Sequence, residues 1–185
     1  KLSAFLDDVF HPEATAPRNA EMLRCYDFSL GVPLSSLPII STALGLLRFA
    51  WQKQAILQTE IAQLLHNAYW SSSLRENDAR AKLDARMRQD CPLSLTSHRF
   101  IRFLHHTCEG EYALDLPDLL ADTKALMDVA QDNGRFASPA QWAETFTTAL
   151  EATNWQGERS ISSHEYQAIE SFKNMMQQLL SLTPL

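Results

Sequence analysis

The stretch from Cys25 to Trp51 (CYDFSLGVPLSSLPIISTALGLLRFAW) constrains the chain most, because it joins a backbone break to a helix start and an apolar face. Tyr26-Asp27-Phe28 alternates polar and apolar side chains, which predicts a short strand. Ser29-Leu30-Gly31 interrupts that run, and Pro33 sets an extended or turn backbone before Leu34. Ser36 is expected to cap free backbone amides. Pro38 then sits in the first helical turn, where its missing N–H removes no hydrogen bond. Ile40, Ala43, Leu44, Leu47 and Trp51 follow at helical spacing and make one apolar face. Within this stretch Phe28, Ser29, Gly31, Pro33 and Pro38 carry structural expectations only: a ring to plug a core, a tight turn, a helix start.

The remaining segments extend the helical pattern. Leu2, Phe5, Leu6 and Val9 predict a short amphipathic helix ending near His11-Pro12, with a loop over residues 12–24. Leu57, Ile61, Leu64, Leu65 and Ala68 mark another helix, with Thr59 interrupting or capping it. A polar helix follows from about Leu74 to Gln89, with only Ala79, Leu83 and Met87 as an apolar stripe, and Pro92 stops it. Ser94 or Thr96 caps a helix that turns Phe100, Ile101, Phe103 and Leu104 inward. Residues 109–115 read as a loop. That loop divides a helical segment 1–108 from a second one, 109–185, which packs on it or completes a single domain.

Asp115 and Pro117 start the next helix, which buries Leu116, Leu119, Leu120, Leu126, Met127 and Ala130 and stops at Asn133-Gly134. Ser138-Pro139-Ala140-Gln141 is a capping box ahead of Trp142, Phe146, Ala149 and Leu150. Ser162-Ser163-His164-Glu165 is a second, opening a helix through Tyr166, Ile169, Phe172, Met176, Leu179 and Leu180. The expected fold is all-α, with about seven or eight helices and at most one short strand.

Charge and cysteine usage narrow the class. Sixteen Lys and Arg against 22 Asp and Glu leave a net charge of −6, which argues against a broad basic surface but permits a local patch. Cys25, Cys91 and Cys108 are odd in number and unpatterned, predicting neither a disulfide framework nor a zinc site, and pointing to the reducing cytoplasm. No apolar run approaches membrane-spanning length and no signal-peptide pattern opens the chain, so no membrane partner is expected. A start at Lys1 and a last helix running into Pro184 predict a piece of something longer.

Several motifs invite a chemical reading. The five glycines are isolated and none precedes a lysine, so no phosphate cradle for ATP is spelled out. Pro117-Asp118 followed by Asp122-Thr123-Lys124 has the letters of a PD-(D/E)xK nuclease site. Its acids, however, sit in the first turns of a helix, where they meet the dipole instead of paired strands. His98, His105, His106 and Cys108 lack a carboxylate to complete a metal set and read as surface histidines of an amphipathic helix. No nucleophile elbow is present. No catalytic residue, metal or cofactor is expected.

Nucleic-acid contact is the chemistry the sequence favours. Arg75, Arg80, Lys82, Arg86 and Arg88 line the polar helix, with Arg99 and Arg102 on the next. Glu76, Arg80, Asp84 and Arg88 form an i,i+4 ladder, and Asp78, Lys82 and Arg86 another, as on a solvated helix gaining about 0.2–0.5 kcal/mol per pair. Phosphate contact needs unpaired charge. Arg75, Arg99 and Arg102, without acidic neighbours on their own helices, are therefore the leading candidates, ahead of Arg80 and Arg86.

Three runs carry a resemblance. Tyr26-Asp27-Phe28-Ser29-Leu30-Gly31-Val32-Pro33-Leu34, with Pro38-Ile39-Ile40 and Ala43-Leu44-Gly45-Leu46-Leu47, is the first. Arg80-Ala81-Lys82-Leu83-Asp84-Ala85-Arg86-Met87-Arg88 is the second. The third is Trp155-Gln156-Gly157-Glu158-Arg159 with Ser163-His164-Glu165-Tyr166-Gln167-Ala168, where Gln156 replaces a proline. In this order they resemble an accessory region of a bacterial DNA-repair family. Its members resemble inactivated UvrD/RecB-type superfamily I helicases fused to a RecB-like nuclease and are related to the B subunit of AddAB-type helicase–nucleases. The resemblance implies a non-catalytic, 2B-like accessory domain. Its expected roles are weak backbone contact with duplex DNA or scaffolding of the parent protein's other domains. The alternative from the residues alone is a stand-alone helical adaptor that takes a partner helix in a groove.

Overall fold

A computed structural model describes residues 32–132 and 137–182. The chain divides into two compact units, Lys1–Val32 and Pro33–Leu185. Every described element belongs to the second. Phe28, Ser29 and Gly31, the strand expected at 26–28, the N-terminal helix and the Asn133-Gly134 stop lie outside the described residues.

Among the described residues the fold is mainly α, as the periodicity predicts. A 3-10 turn at Leu34–Ser36 leads into seven helices: α1 (Pro38–Trp51), α2 (Gln58–Leu65), α3 (Asn77–Asp90), α4 (Ser97–Thr107), α5 (Pro117–Asp132), α6 (Pro139–Ala152) and α7 (Ser163–Leu180). The extended structure is a minimal antiparallel ribbon, β1 (Ile56–Leu57) with β2 (Ser94–Leu95), in which Ile56 faces Leu95. Periodicity over a dozen residues cannot register a two-residue strand.

Helix α1 is the hub and packs against α2, α5, α6 and α7. It therefore buries more than the single face expected. Ile39, Ile40, Ala43, Leu46, Leu47, Phe49 and Ala50 are all inside, whereas Leu44 is exposed. Thr42 is buried as well and turns its hydroxyl back to Pro38 O at 2.7 Å, satisfying it within the helix. Pro38 stands at the helix start as expected, but Ser36 does not cap it. The capping residue is Leu37, in extended geometry, and Ser36 Oγ donates to Pro33 O at 2.7 Å inside the preceding turn.

One core runs from Ile39 to Met176 and draws on both sides of the 109–115 loop, with Leu83 and Phe100 before it and Leu119 and Ile169 after it. Two ties fix the elements around that core. Gln58 spreads its amide over Met87 O, Cys91 O and Pro92 O, at 2.9–3.0 Å, and so anchors the start of α2 to the end of α3. The loop between α6 and α7 is laced to α1 and to the end of α2. Trp155 Nε1 donates to Ile39 O at 2.9 Å, and Gln156 N donates to Tyr69 O at 3.0 Å. This loop holds Asn154, Gln156 and Gly157 at positive φ.

Both predicted capping boxes form, at Ser138 with Gln141 and at Ser162 with Glu165. Thr96 caps α4 by accepting from Arg99 N at 3.3 Å. In α7 the buried stripe is Ala168, Ile169, Phe172 and Met176. Tyr166 and Leu180, expected inside, are exposed.

Candidate nucleic-acid interface

The five candidate arginines do not form one patch. Arg80 is the clearest correction: only 1% of it is exposed, so it cannot reach a phosphate. Its Nε and Nη2 donate to Glu76 Oε2 at 3.2 and 3.0 Å, Nη1 donates to Trp70 O at 3.1 Å, and the guanidinium lies 5.5 Å from the Trp70 ring centroid. Burial pulls its pKa down, while the Glu76 carboxylate pulls it back up. The ladder read as solvated is thus inside the protein at its first rung and half-buried at the next, where Arg88 grips Asp84 at 3.0 and 3.1 Å.

Glu76 explains why that rung is buried. Its Oε1 accepts from Asp118 N at 2.9 Å and from Leu119 N at 3.3 Å, so it caps α5 while itself standing at the start of α3. The N-terminus of α5 donates to this carboxylate, and its dipole favours the charge. Arg80 neutralises what remains. The group is structural.

Arg75 is also taken. It pairs with Asp118 at the first turn of α5, a partner on another element that neighbour counting within its own helix misses. The same pairing occupies one acid of the apparent PD-(D/E)xK motif. Asp118 and Asp122 lie one turn apart on α5, and burial pushes the Asp122 carboxyl up despite the nearby Arg80. Arg86 donates to Tyr112 O at 2.9 Å. Among the described residues, no group of three or more His, Cys, Asp or Glu is placed to hold a metal ion.

Arg99 and Arg102 remain exposed on α4 and take part in no ion pair among the described residues. They are three residues apart and so share a side of the helix. Arg102 opens onto a groove between α4 and α5, of about 360 Å³, together with His98, Ile101, Lys124 and Asp128. His98, Met127 and Gln131 also line a second cavity of about 460 Å³, so the two share a wall. Trp51, Lys53 and Trp142 stand on the walls of that cavity, at the end of α1 and the start of α6. Arg75 sits at the opposite end of α5, about 9 to 15 Å away at 1.5 Å per residue between Asp118 and the Lys124–Asp128 stretch.

The charge pattern sets this groove apart. Arg48, Arg75, Arg80, Arg88, Arg159 and Lys173 are each paired with a carboxylate. Among the described residues Lys53, Lys82, Arg86, Arg99, Arg102 and Lys124 make no such pair; Arg102 and Lys124 line the groove with the single carboxylate of Asp128, and Lys53 lines the neighbouring cavity. Lys53, Lys124 and the two tryptophans escape a reading of the sequence as site residues, because four separated segments supply the walls. The linear trace they leave is Trp51 followed closely by Lys53 at a helix end.

The aromatic wall is itself ordered. Trp51 meets Trp142 and Phe146 edge to face at 6.1 and 5.2 Å between centroids, and Trp51 Nε1 is buried without a hydrogen-bond partner among the described residues. A second aromatic and polar cluster, at the motif resembling Trp-Pro-Gly-Glu-Arg, is a clamp. Arg159 stacks 4.7 Å above the Tyr69 ring centroid and donates to Tyr69 Oη at 2.6 Å, while Glu165 joins both. Burial pushes the Glu165 carboxyl up, but the hydrogen bonds from Tyr69 and Ser162 hold it below the usual carboxylate range. In comparisons with known proteins, no family model, no curated protein and no solved structure matches this chain.

Proposed function

We propose that this chain is a non-catalytic helical binding module that contacts the nucleic-acid backbone through the α4–α5 face. The observation that carries the reading is a gathering of cations without carboxylate partners among the described residues. Arg102 and Lys124 line the groove, Lys53 lines the cavity that shares three wall residues with it, and Arg99 lies beside Arg102 on α4. Backbone binding requires such unpaired charge, because affinity comes from releasing counterions condensed on phosphate. The resemblance to the accessory region of helicase–nuclease repair proteins supports the same reading and extends it. There the module serves duplex contact or scaffolding within a longer DNA-repair protein, in the cytoplasm and without cofactor. A net charge of −6 makes contact weak and local.

The test is fluorescence anisotropy on a labelled duplex at low salt. Binding should fade as salt rises, and Arg99→Glu with Arg102→Glu should abolish it. Single replacements by Gln should lower the salt slope by roughly 0.9 per lost contact. An unchanged signal in the double variant overturns the reading. A partner-helix adaptor is the second reading, favoured by a cavity of about 420 Å³ in which Leu150, Trp155, Phe172 and Met176 are rimmed by polar residues such as Glu151 and Lys173. Tight capture of an amphipathic peptide with no binding of DNA would select it.

A further inference from the structure

The cationic groove is also aromatic, and phosphate contact alone gives no reason for that. Trp51 and Trp142 are both half-buried and both line the wider cavity, so each presents part of its ring surface to it. Lys53 stands beside them, and Arg102 and Lys124 continue the cationic lining into the narrower arm. A paired duplex keeps its base faces stacked inside and has no ring to offer a cleft. An unpaired strand exposes its bases, and every base has a face that stacks on an aromatic side chain. The cavities, at about 460 and 360 Å³, fall in the range of clefts that enclose small ligands.

We propose that the groove between α4, α5 and the end of α1 takes unpaired bases of a single strand, stacked against Trp51 and Trp142, while Lys53, Arg102 and Lys124 hold its phosphates. This rests on the backbone-contact reading and narrows it to a strand class. Trp51 is locked by its edge-to-face contacts with Trp142 and Phe146, so the platform is pre-formed and little side-chain freedom is lost on binding. The lone carboxylate, Asp128, lies in the narrower arm and leaves the cavity beside the tryptophans without a carboxylate of its own. Base identity is not read, because stacking tolerates every base.

The experiment uses the whole 185-residue chain and two labelled probes of equal length, oligo-dT and a duplex, at low salt. Oligo-dT should bind at least about tenfold more tightly than the duplex and quench the intrinsic tryptophan fluorescence, as expected when bases stack on indoles. Trp142→Leu, which keeps an apolar side chain at the wall, should weaken that quenching, leaving the share due to Trp51, and lower oligo-dT affinity about tenfold. Equal affinity for both probes, or oligo-dT binding without quenching in the unaltered protein, overturns the single-strand proposal and leaves backbone contact standing. Binding of neither probe overturns both. The comparison of probes and the quenching need no variant, so a Trp142→Leu protein that fails to fold does not remove the test.

Discussion

Arg80 and Arg102 carry the same guanidinium and meet opposite surroundings. Arg80 is enclosed with Glu76, two backbone carbonyls and the Trp70 ring, whereas Arg102 stands in solvent on the wall of a groove. The i,i+4 spacing announces the Glu76–Arg80 pair. Its burial is not legible, since it depends on α5 arriving some forty residues later to be capped by the same carboxylate. Arg80→Leu should leave Glu76 buried beside two helix ends with no counter-charge and cost about 3–5 kcal/mol, read as a lowered urea midpoint.

Asp122 gives the opposite sign. Burial raises its pKa in the folded chain, so protonation is favoured by folding, and its contribution to stability is complete at low pH and is lost as pH rises through the folded value. Asp122→Asn should therefore melt higher than the parent at neutral pH, with the gap closing in acid. A gap that widens in acid would mean that Asp122 is held as a needed anion.

At the scale of elements, capping chemistry separates what could be read in advance from what could not. The starts of α6 and α7 lie in Ser138 and Ser162, whose boxes need only four consecutive residues. Pro38 marks α1, yet the serine two positions before it is engaged with Pro33 instead. At the start of α5 the local signals are Asp115 and Pro117, yet the amides of Asp118 and Leu119 are capped by Glu76 from another element. The groove was half legible for the same reason. Arg99 and Arg102 follow from one helix, whereas Trp51, Lys53, Lys124 and Trp142 become neighbours only through packing.

The loop after α6 makes the sharpest demand on a single residue. A Cβ on Gly157 would stand 2.3 Å from Ala68 O, a backbone atom, at a φ of +70° that disfavours any side chain. Gly157→Ala should lower stability by about 2 kcal/mol or more, seen in a thermal melt, as the loop lifts from the end of α2. The parent's melt retained in this variant would mean that the loop shifts at no cost.

The whole molecule is acidic. Its net charge of −6 opposes phosphate binding, so any nucleic acid it holds should be captured locally and released by modest salt. Its core is shared from α1 to α7, so no helix group among the described residues has a core of its own. The bond from Trp155 Nε1 to Ile39 O spans 116 residues of chain. On a ribosome that separation becomes a delay: at about 5–20 residues per second, roughly 6 to 23 s pass between the synthesis of Ile39 and that of its indole partner. The helices that cover α1 arrive one after another, from α2 to α7, so parts of its apolar surface wait for a partner during that interval. The hub helix is thus made long before the last element that buries it, and its apolar surface waits longest on the side that α7 covers.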